Sequence, residues 1–315
     1  LRNLHAIYNL IGLSTYGGIE MQCFIHGQEY DYVNNALNND VTRMSYFQLA
    51  KKIYKLKFDQ WYQSGYWDDR FIPYTIMHDD ITVSSVAVCI NDISWQGQQK
   101  RYVQISTVMT LPEYRDKGLN RYLMETVVSE WKDKCDAIYL LSNDSVVDFY
   151  PKFGFEEFKE FQYSKSIFKV NGAYRKLDIE APRDWDLIMR KYKLGNPFSE
   201  LKVDNLCQFV FHCIQFVAQD IYYVEQYDAV VVTKYDNNQL ICYDVFADGK
   251  IQMDDILSIM ANEDTHTICL GFTPISKEGY IIEESKEEDN HLFVRNGKEN
   301  IFRDNKVIFP LLSRA

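Results

Sequence analysis

Val108-Met-Thr-Leu-Pro-Glu-Tyr-Arg-Asp-Lys-Gly-Leu-Asn-Arg121 is the stretch from which the fold is read. An apolar run ends at Thr110, and Leu111-Pro112 breaks it. A basic turn containing Gly118 then opens residues 119–131, which are apolar at Leu119, Leu123, Val127, Val128 and Trp131, the spacing of an amphipathic helix. The first backbone N–H groups of a helix lack partners inside it and attract phosphate. Gly118 lets the backbone approach a ligand closely, and Arg115, Lys117 and Arg121 add positive charge. A pyrophosphate suits such a turn. An ordinary capped helix with surface charges fits the same letters, so this turn alone leaves both readings open.

Outward from it, residues 72–78, 81–93 and 101–110 read as strands. Asp79-Asp80 and Gln96-Gly97-Gln98 join them as turns, which makes an antiparallel meander. A strand at residues 21–26 and a helix over residues 40–55, capped by Asp40 or Thr42, precede the meander. Between them lies the aromatic segment Trp61-Tyr-Gln-Ser-Gly-Tyr-Trp67. Residues 137–141 read as a short buried strand. Residues 145–150 read as a short helix stopped by Pro151, and residues 155–164 as closing strands.

The second chemical signal is Asn143-Asp-Ser-Val-Val-Asp-Phe-Tyr-Pro-Lys-Phe-Gly-Phe155. Together the two stretches resemble the GNAT (Gcn5-related N-acetyltransferase) superfamily. Its Arg/Gln-x-x-Gly-x-Gly/Ala motif is matched by Arg115-Asp-Lys-Gly118-Leu-Asn120. Its later motif is matched by Asn143 followed by Phe149-Tyr150-Pro-Lys152-Phe-Gly154-Phe155. The resemblance covers roughly residues 21–165. It implies an α/β GNAT fold with a mixed, mostly antiparallel sheet, and acetyl-CoA as cosubstrate. Val108, Met109 and Thr110 are then expected to pair with the pantetheine arm. Arg115, Asp116, Lys117, Gly118, Leu119, Asn120 and Arg121 hold the pyrophosphate, and Asn143 contacts the cofactor arm. Tyr150 is the general acid for the leaving thiolate, with core packing as its alternative role. Asn120 departs from the usual Gly or Ala, and Asp116 from the frequent Gly. Trp61, Tyr62, Tyr66 and Trp67 are expected to line the acceptor site, with core packing as the equal alternative. Residues 101–110 contain no Asp, Glu or His to deprotonate the acceptor. His78, Asp79, Asp80, Asp68 and Asp69 are the other candidates, along with a water relay. The enhanced-intracellular-survival type of acetyltransferase, with tandem GNAT-like domains, uses its C-terminal carboxylate. For residues 308–315 here, a buried terminal strand is the preferred reading.

Residues 101–141 run strand, turn, helix, strand, and residues 240–272 repeat that order at similar spacing. The expectation is therefore three parts: an extension (1–20), a GNAT domain (21–168) and a second, degenerate GNAT-like α/β domain (169–315). The corresponding turn of the second part, Phe246-Ala-Asp-Gly-Lys-Ile251, has no Arg-x-x-Gly and sets Asp248 where phosphate would come. Further helices are expected over 182–193, 204–218 and 251–260, a hairpin over 229–246, and late strands at 291–294 and 307–309.

The formal charge of −11 disfavours nucleic acid as a partner; solubility is the preferred explanation of the acidity, with attraction of an amine-bearing, cationic acceptor as the alternative. The seven cysteines form no Cys-x-x-Cys pair and read as buried free thiols of a cytoplasmic protein. The six histidines show no metal-ligand spacing, so no metal is expected, and no apolar run reaches membrane-span length. The function expected is transfer of acetyl from acetyl-CoA to a primary amine of a small molecule or peptide. The alternative is a non-catalytic acyl-CoA-binding or scaffold protein. The oligomeric state is not legible.

Overall fold

The computed structural model describes residues 20–285, 289–297 and 299–315, so the extension expected over 1–20 lies outside the described residues except for Glu20. The elements run β1 (Glu20–Ile25), β2 (Gln28–Asn34), α1 (Asp40–Tyr54), α2 (Phe58–Gln63), β3 (Phe71–His78), β4 (Ile81–Trp95), β5 (Gln98–Thr110), α3 (Leu119–Trp131) and β6 (Ala137–Ser142). Then come β7 (Phe155–Phe158), β8 (Phe161–Ser166), β9 (Tyr174–Lys176), α4 (Pro182–Tyr192), β10 (Leu201–Asp204), α5 (Leu206–Gln215) and β11 (Ile221–Val224). The chain closes with β12 (Ala229–Asp236), β13 (Gln239–Phe246), α6 (Met253–Met260), β14 (Thr267–Leu270), β15 (Ile281–Glu284) and β16 (His291–Arg295).

The meander forms because its turns demand it. Asp79 and Asp80 (φ 52° and 60°) and Gln96-Gly97 (φ 50° and 78°) take the left-handed pair of a tight hairpin turn. His26-Gly27 (φ 50° and 83°) does the same between β1 and β2. The sequence reading has β1 but not β2, whose letters Gln-Glu-Tyr-Asp-Tyr-Val-Asn lack a β-branched run. Two other local readings change. Asn39, not Asp40 or Thr42, caps α1, its side chain accepting from the Val41 N–H at 2.8 Å. The helix read at 145–150 is two separate 3-10 turns, Asp144–Val146 and Tyr150–Phe153, with Pro151 inside the second rather than ending the first. The helix read over 204–218 runs Leu206–Gln215, with Asp204 ending the strand Leu201–Asp204, and 307–309 are not strand.

Two sheets result. The first runs β1-β2-β3-β4-β5-β6-β16-β7, with β10 alongside β4; the second runs β15-β8-β14-β13-β12-β11-β9. Each contains one parallel pair bridged by a helix: β5–α3–β6 in the first and β13–α6–β14 in the second. Each also takes strand from the other half of the chain, the first sheet β10 and β16 and the second β8. β16 lies between β6 and β7, antiparallel to both. β8 lies between β14 and β15, antiparallel to both. The exchange is reciprocal. Leu292, Phe293 and Val294 of β16 are buried in the first sheet, and Tyr163 of β8 in the second. A hydrophobic core shared by α1, α2, β3–β5 and α5 joins the halves further. In it Trp61 is fully buried and donates from Nε1 to the Cys207 carbonyl at 3.0 Å.

His291 fastens the exchanged β16. Its Nδ1 lies 2.9 Å from Glu157 Oε1 on β7, and its Nε2 lies 2.6 Å from Asp144 Oδ1. Hydrogen bonding to Glu157 and then to Asp144 raises the His291 pKa, while the bond to His291 lowers that of Glu157. A raised folded-state histidine pKa contributes stability that is complete below about 6.5 and is lost as pH rises through the higher folded value. The Glu157 contribution is lost as pH falls through its lowered value. The melting temperature should therefore decline as pH rises above about 6.5, and His291→Gln should flatten that decline. A slope unchanged in the variant would remove His291 from the clamp. The groups are surface-exposed, so the effect is a slope rather than a collapse.

Candidate active site

β5 pairs with β6 from Tyr102↔Ala137 only as far as Ile105↔Leu140, although β5 continues to Thr110 and β6 to Ser142. Beyond Ile105 the two parallel strands separate. On the other edge of β5, Ser85↔Met109 is followed by Ala87↔Ser106, so Thr107 and Val108 together face Val86. This is a β-bulge, and Thr107 (φ 43°) takes the left-handed conformation that it requires. The bulge turns the last three residues of β5 toward the gap. Met109 is fully buried and Thr110 nearly so, while Val108 keeps some exposure.

Directly after β5 the chain makes a 3-10 turn over Pro112–Tyr114, and Gly118 at φ 82° starts α3. No side chain caps α3 and no acidic residue lies in its first turn, so its leading N–H groups face outward uncompensated. Asp116 takes φ 60° just before it. Arg121 pairs with Glu125 at 3.7 Å, and the Lys117 ammonium stands 4.6 Å from the centre of the Tyr114 ring. An uncapped helix start approached by basic residues has the geometry and charge that favour a phosphate. An acyl-CoA pyrophosphate fits it on that ground. Asn120, the departure from the family pattern, points away from the turn. Its Oδ1 accepts from Ser84 Oγ at 2.7 Å, and Ser84 also lies 3.0 Å from Thr110 Oγ1. The side chain ties the start of α3 to the end of β5 and leaves the backbone donors free.

Tyr150 is buried, on the 3-10 turn whose first two residues include Pro151. Burial raises its pKa, and the neighbouring Tyr54 raises it further, so the phenol holds its proton. Tyr54 in turn donates from its hydroxyl to the Val108 carbonyl at 3.1 Å and feels the charge of Arg115. Tyr54 thus links the bulge, the basic turn and Tyr150. Asn143 caps the preceding 3-10 turn, accepting from Ser145 N at 3.1 Å and from Ser145 Oγ at 2.6 Å.

Sequence reasoning missed Tyr54 and His26. The His26 imidazole lies against Gly118, where an added Cβ would come within 2.8 Å of its Cε1. Neither residue carries a motif; only the β1–β2 turn and the C-terminal end of α1 bring them here. The aromatic segment divides. Trp61 packs at 3.9 Å between ring centres against Trp67, inside a cluster with Phe58, Phe71 and Phe211, and belongs to the core rather than to an open pocket. Trp67 bonds the Phe71 carbonyl, and Tyr66 accepts from Trp185 Nε1 at 3.2 Å. Tyr62 stays exposed, beneath the Arg43 guanidinium at 4.5 Å.

The candidate bases are scattered. His78 Nδ1 lies 2.9 Å from the Tyr114 hydroxyl, with Asp79 at 3.8 Å, and Asp68 accepts from Arg70 N. The inward residues of β5 are already engaged. Gln104 accepts from Ala315 N at 2.8 Å and donates to Ala315 O at 2.9 Å, while Tyr102 accepts from Ile301 N. Arg314 makes a buried ion pair with Glu160 at 2.9 Å, and its carbonyl accepts from Gln208 Nε2 and His212 Nε2. The final residues are therefore laced into the first sheet, as bonded coil rather than as a strand. All seven cysteines are buried free thiols. Among the described residues no helix is long and apolar enough to cross a membrane.

A strand pair parted by a bulge, followed by an uncapped basic helix start, defines a class. Residues 44–158 match the family model described as an acetyltransferase (GNAT) domain. Over those residues the chain is similar to the GNAT domain of acetyltransferases. Similar solved structures extend the likeness over both sheets. A probable N-acyltransferase from Enterococcus faecalis V583 shares 12% identity over 80% of this chain and 69% of its own, with TM-score 0.53. A GCN5-related N-acetyltransferase from Anabaena variabilis shares 11% over 83% and 72%, with TM-score 0.51. Another from Kribbella flavida shares 15% over 84% and 71%, with TM-score 0.50. At these identities the likeness is one of fold. No curated protein matches the chain.

Proposed function

We propose that the chain transfers acetyl from acetyl-CoA to a primary amine, in the gap between β5 and β6. The observation that carries the reading is the junction at Val108–Gly118, where a bulged strand end meets an uncapped helix start with a basic approach. Acetyl-CoA supplies the thioester. Arg115, Lys117, Arg121 and the N–H groups at the start of α3 hold its pyrophosphate, and the free backbone of Val108–Thr110 orients the pantetheine arm. Tyr54 keeps the Val108 carbonyl occupied until that arm displaces it. The amine attacks the thioester carbonyl, the C–S bond breaks, and Tyr150 gives its proton to the departing thiolate. Burial keeps the Tyr150 phenol protonated at neutral pH, so it has a proton to give, and the same burial makes a thiolate formed beside it more basic, which offsets the weaker acidity of the phenol. β5 offers no carboxylate or imidazole, so the acceptor loses its proton to water. Tyr62 on α2 and Tyr66 just after it are the residues proposed to line the acceptor's approach, and Asn143 is proposed to contact the cofactor arm. The second half contributes the exchanged strand and the wall formed by α5.

Tyr150→Phe removes one oxygen and keeps the ring. Thiol release should fall by about 10²-fold while acetyl-CoA affinity and melting temperature stay as in the wild type. Wild-type turnover in the variant would return Tyr150 to a packing role. Acyl-CoA binding without transfer is the competing reading, and amine-dependent thiol release separates the two.

A further inference from the structure

The second sheet contains its own strand gap. β13 and β14 are parallel from Gln239↔Thr267 to Cys242↔Leu270 and then separate, as β5 and β6 do. β13 also carries a bulge at the corresponding place. Val232↔Asp244 is followed by Thr233↔Cys242, which leaves Tyr243 extra. Counting from the two bulges sets Asp244 where the first sheet has Val108, and Phe246 where it has Thr110. A cleft of about 550 Å³ opens between this end of β13 and the first sheet, lined by Asp244, Phe246, Phe272, Phe209 and Tyr192, by Asp92 and Ser94 of β4 and Lys202 of β10, and by Pro310, Leu312 and Ser313. It takes only Gln99 from β5, nine residues from Val108 and so about 30 Å away along an extended strand.

This gap does not suit an acyl-CoA. α6 begins with Asp254 and Asp255, which repel a pyrophosphate at its N-terminus. Its interior is charged differently. Asp244 Oδ1 accepts from Asn196 Nδ2 at 2.6 Å and from Val245 N at 2.9 Å, both neutral donors. The other two carboxylates of the lining are balanced: Asp92 by Arg101 at 2.7 Å and Asp204 by Arg70 at 3.8 Å. Burial pushes the Asp244 carboxyl up to about 6, and among the described residues its hydrogen-bond partners are neutral. The rim is the reverse. Lys193 and Lys202 line the outer part of the cleft and are exposed, and Arg190 stands beside Lys193 in the shallow depression that adjoins it. Asn196, which bonds Asp244, lies three residues from Lys193, so one short loop carries both a partner of the inner carboxylate and a charge of the rim. An inner carboxylate, aromatic walls and an outer pair of ammonium groups match one polarity of guest.

We propose that the cleft of the second sheet binds a free α-amino acid with an apolar or aromatic side chain, its ammonium on Asp244 and its carboxylate toward Lys193 and Lys202. The site is separate from acetyl transfer and does not rest on it. Calorimetry of the full chain with L-phenylalanine, 2-phenylethylamine and 3-phenylpropionate tests both charges. Phenylalanine should bind saturably, and each singly charged analogue about tenfold or more weakly. Asp244→Asn retains an acceptor for Asn196 and Val245 and should lower phenylalanine affinity about tenfold, leaving thiol release from acetyl-CoA unchanged. Lys202→Ala, at an exposed position that cannot compromise folding, should weaken it as well. Absence of saturable binding up to about 10 mM phenylalanine would overturn the assignment, that being the weak limit for a specific site of this size. Equal binding of 2-phenylethylamine, unchanged affinity in both variants, or a second acetyl-CoA molecule bound per chain would do the same.

Discussion

Gly118→Glu should abolish measurable acetyl-CoA binding, lowering affinity by about 10²-fold or more. Three effects act together. At φ 82° any side chain strains the backbone by about 1–2 kcal/mol. The new Cβ would stand 2.8 Å from His26 Cε1, pushing the β1–β2 turn off the helix start. The new carboxylate would then occupy the N–H groups that a pyrophosphate needs. Gly97→Glu is the matched control, because Gly97 has a similar φ of 78° but open space around it, with nothing within 4 Å of where a Cβ would stand. It should melt lower yet bind acetyl-CoA normally. Unchanged affinity in Gly118→Glu would mean that the cofactor binds elsewhere.

The second large effect concerns the exchanged strands. A fragment ending near residue 170 keeps β8 without its sheet and loses β16 from between β6 and β7. Burying Leu292, Phe293 and Val294 is worth about 1.5–3 kcal/mol each. Their sum is comparable with the whole stability of a typical domain, about 5–15 kcal/mol. The fragment should therefore aggregate or unfold without cooperativity. A repaired fragment should aggregate less. Phe158 pairs with Leu292, so residues 20–158 joined by a short Gly-Asn turn to residues 291–297 close an ordinary β7–β16 hairpin. That chimera should yield more soluble protein than the simple fragment, while the missing α5, which covers Trp61, keeps it less stable than the full chain. A soluble, fully active fragment of residues 20–170 would show that the exchange carries no weight.

The sequence disclosed the parts whose causes are local. The turns at Asp79-Asp80 and Gln96-Gly97 need left-handed residues and announce the meander. The Arg115–Arg121 turn and α3 are read from charge, Gly118 and apolar spacing. The strand–helix–strand echo of residues 240–272 also survives, because its periodicities are short-range. What stayed hidden depends on distant chain segments. β16 and β8 look like the ends of their own halves, and nothing in their letters says that each completes the other sheet. Asn120 looked like a flaw in the cofactor turn until its bond to Ser84 placed it toward the strands. Trp61 looked equally suited to a pocket or a core, and only the arrival of α5, with the Cys207 carbonyl, puts it in the core. Tyr54 and His26 sit at the site through tertiary contact alone. The bulges at Thr107 and Tyr243 were equally illegible, since neither has the glycine that often marks one.

Acetyl transfer itself is tested most directly by incubating the full chain with acetyl-CoA and a panel of primary amines, and following free thiol together with the mass of each amine. Thiol release should require both the protein and an amine, with one acetyl group gained by that amine and the rate lost in Gly118→Glu. Acetyl-CoA bound at the Gly118 turn, with no amine in the panel raising thiol release above the protein-free rate, would contradict transfer and leave a binding protein in place of an enzyme.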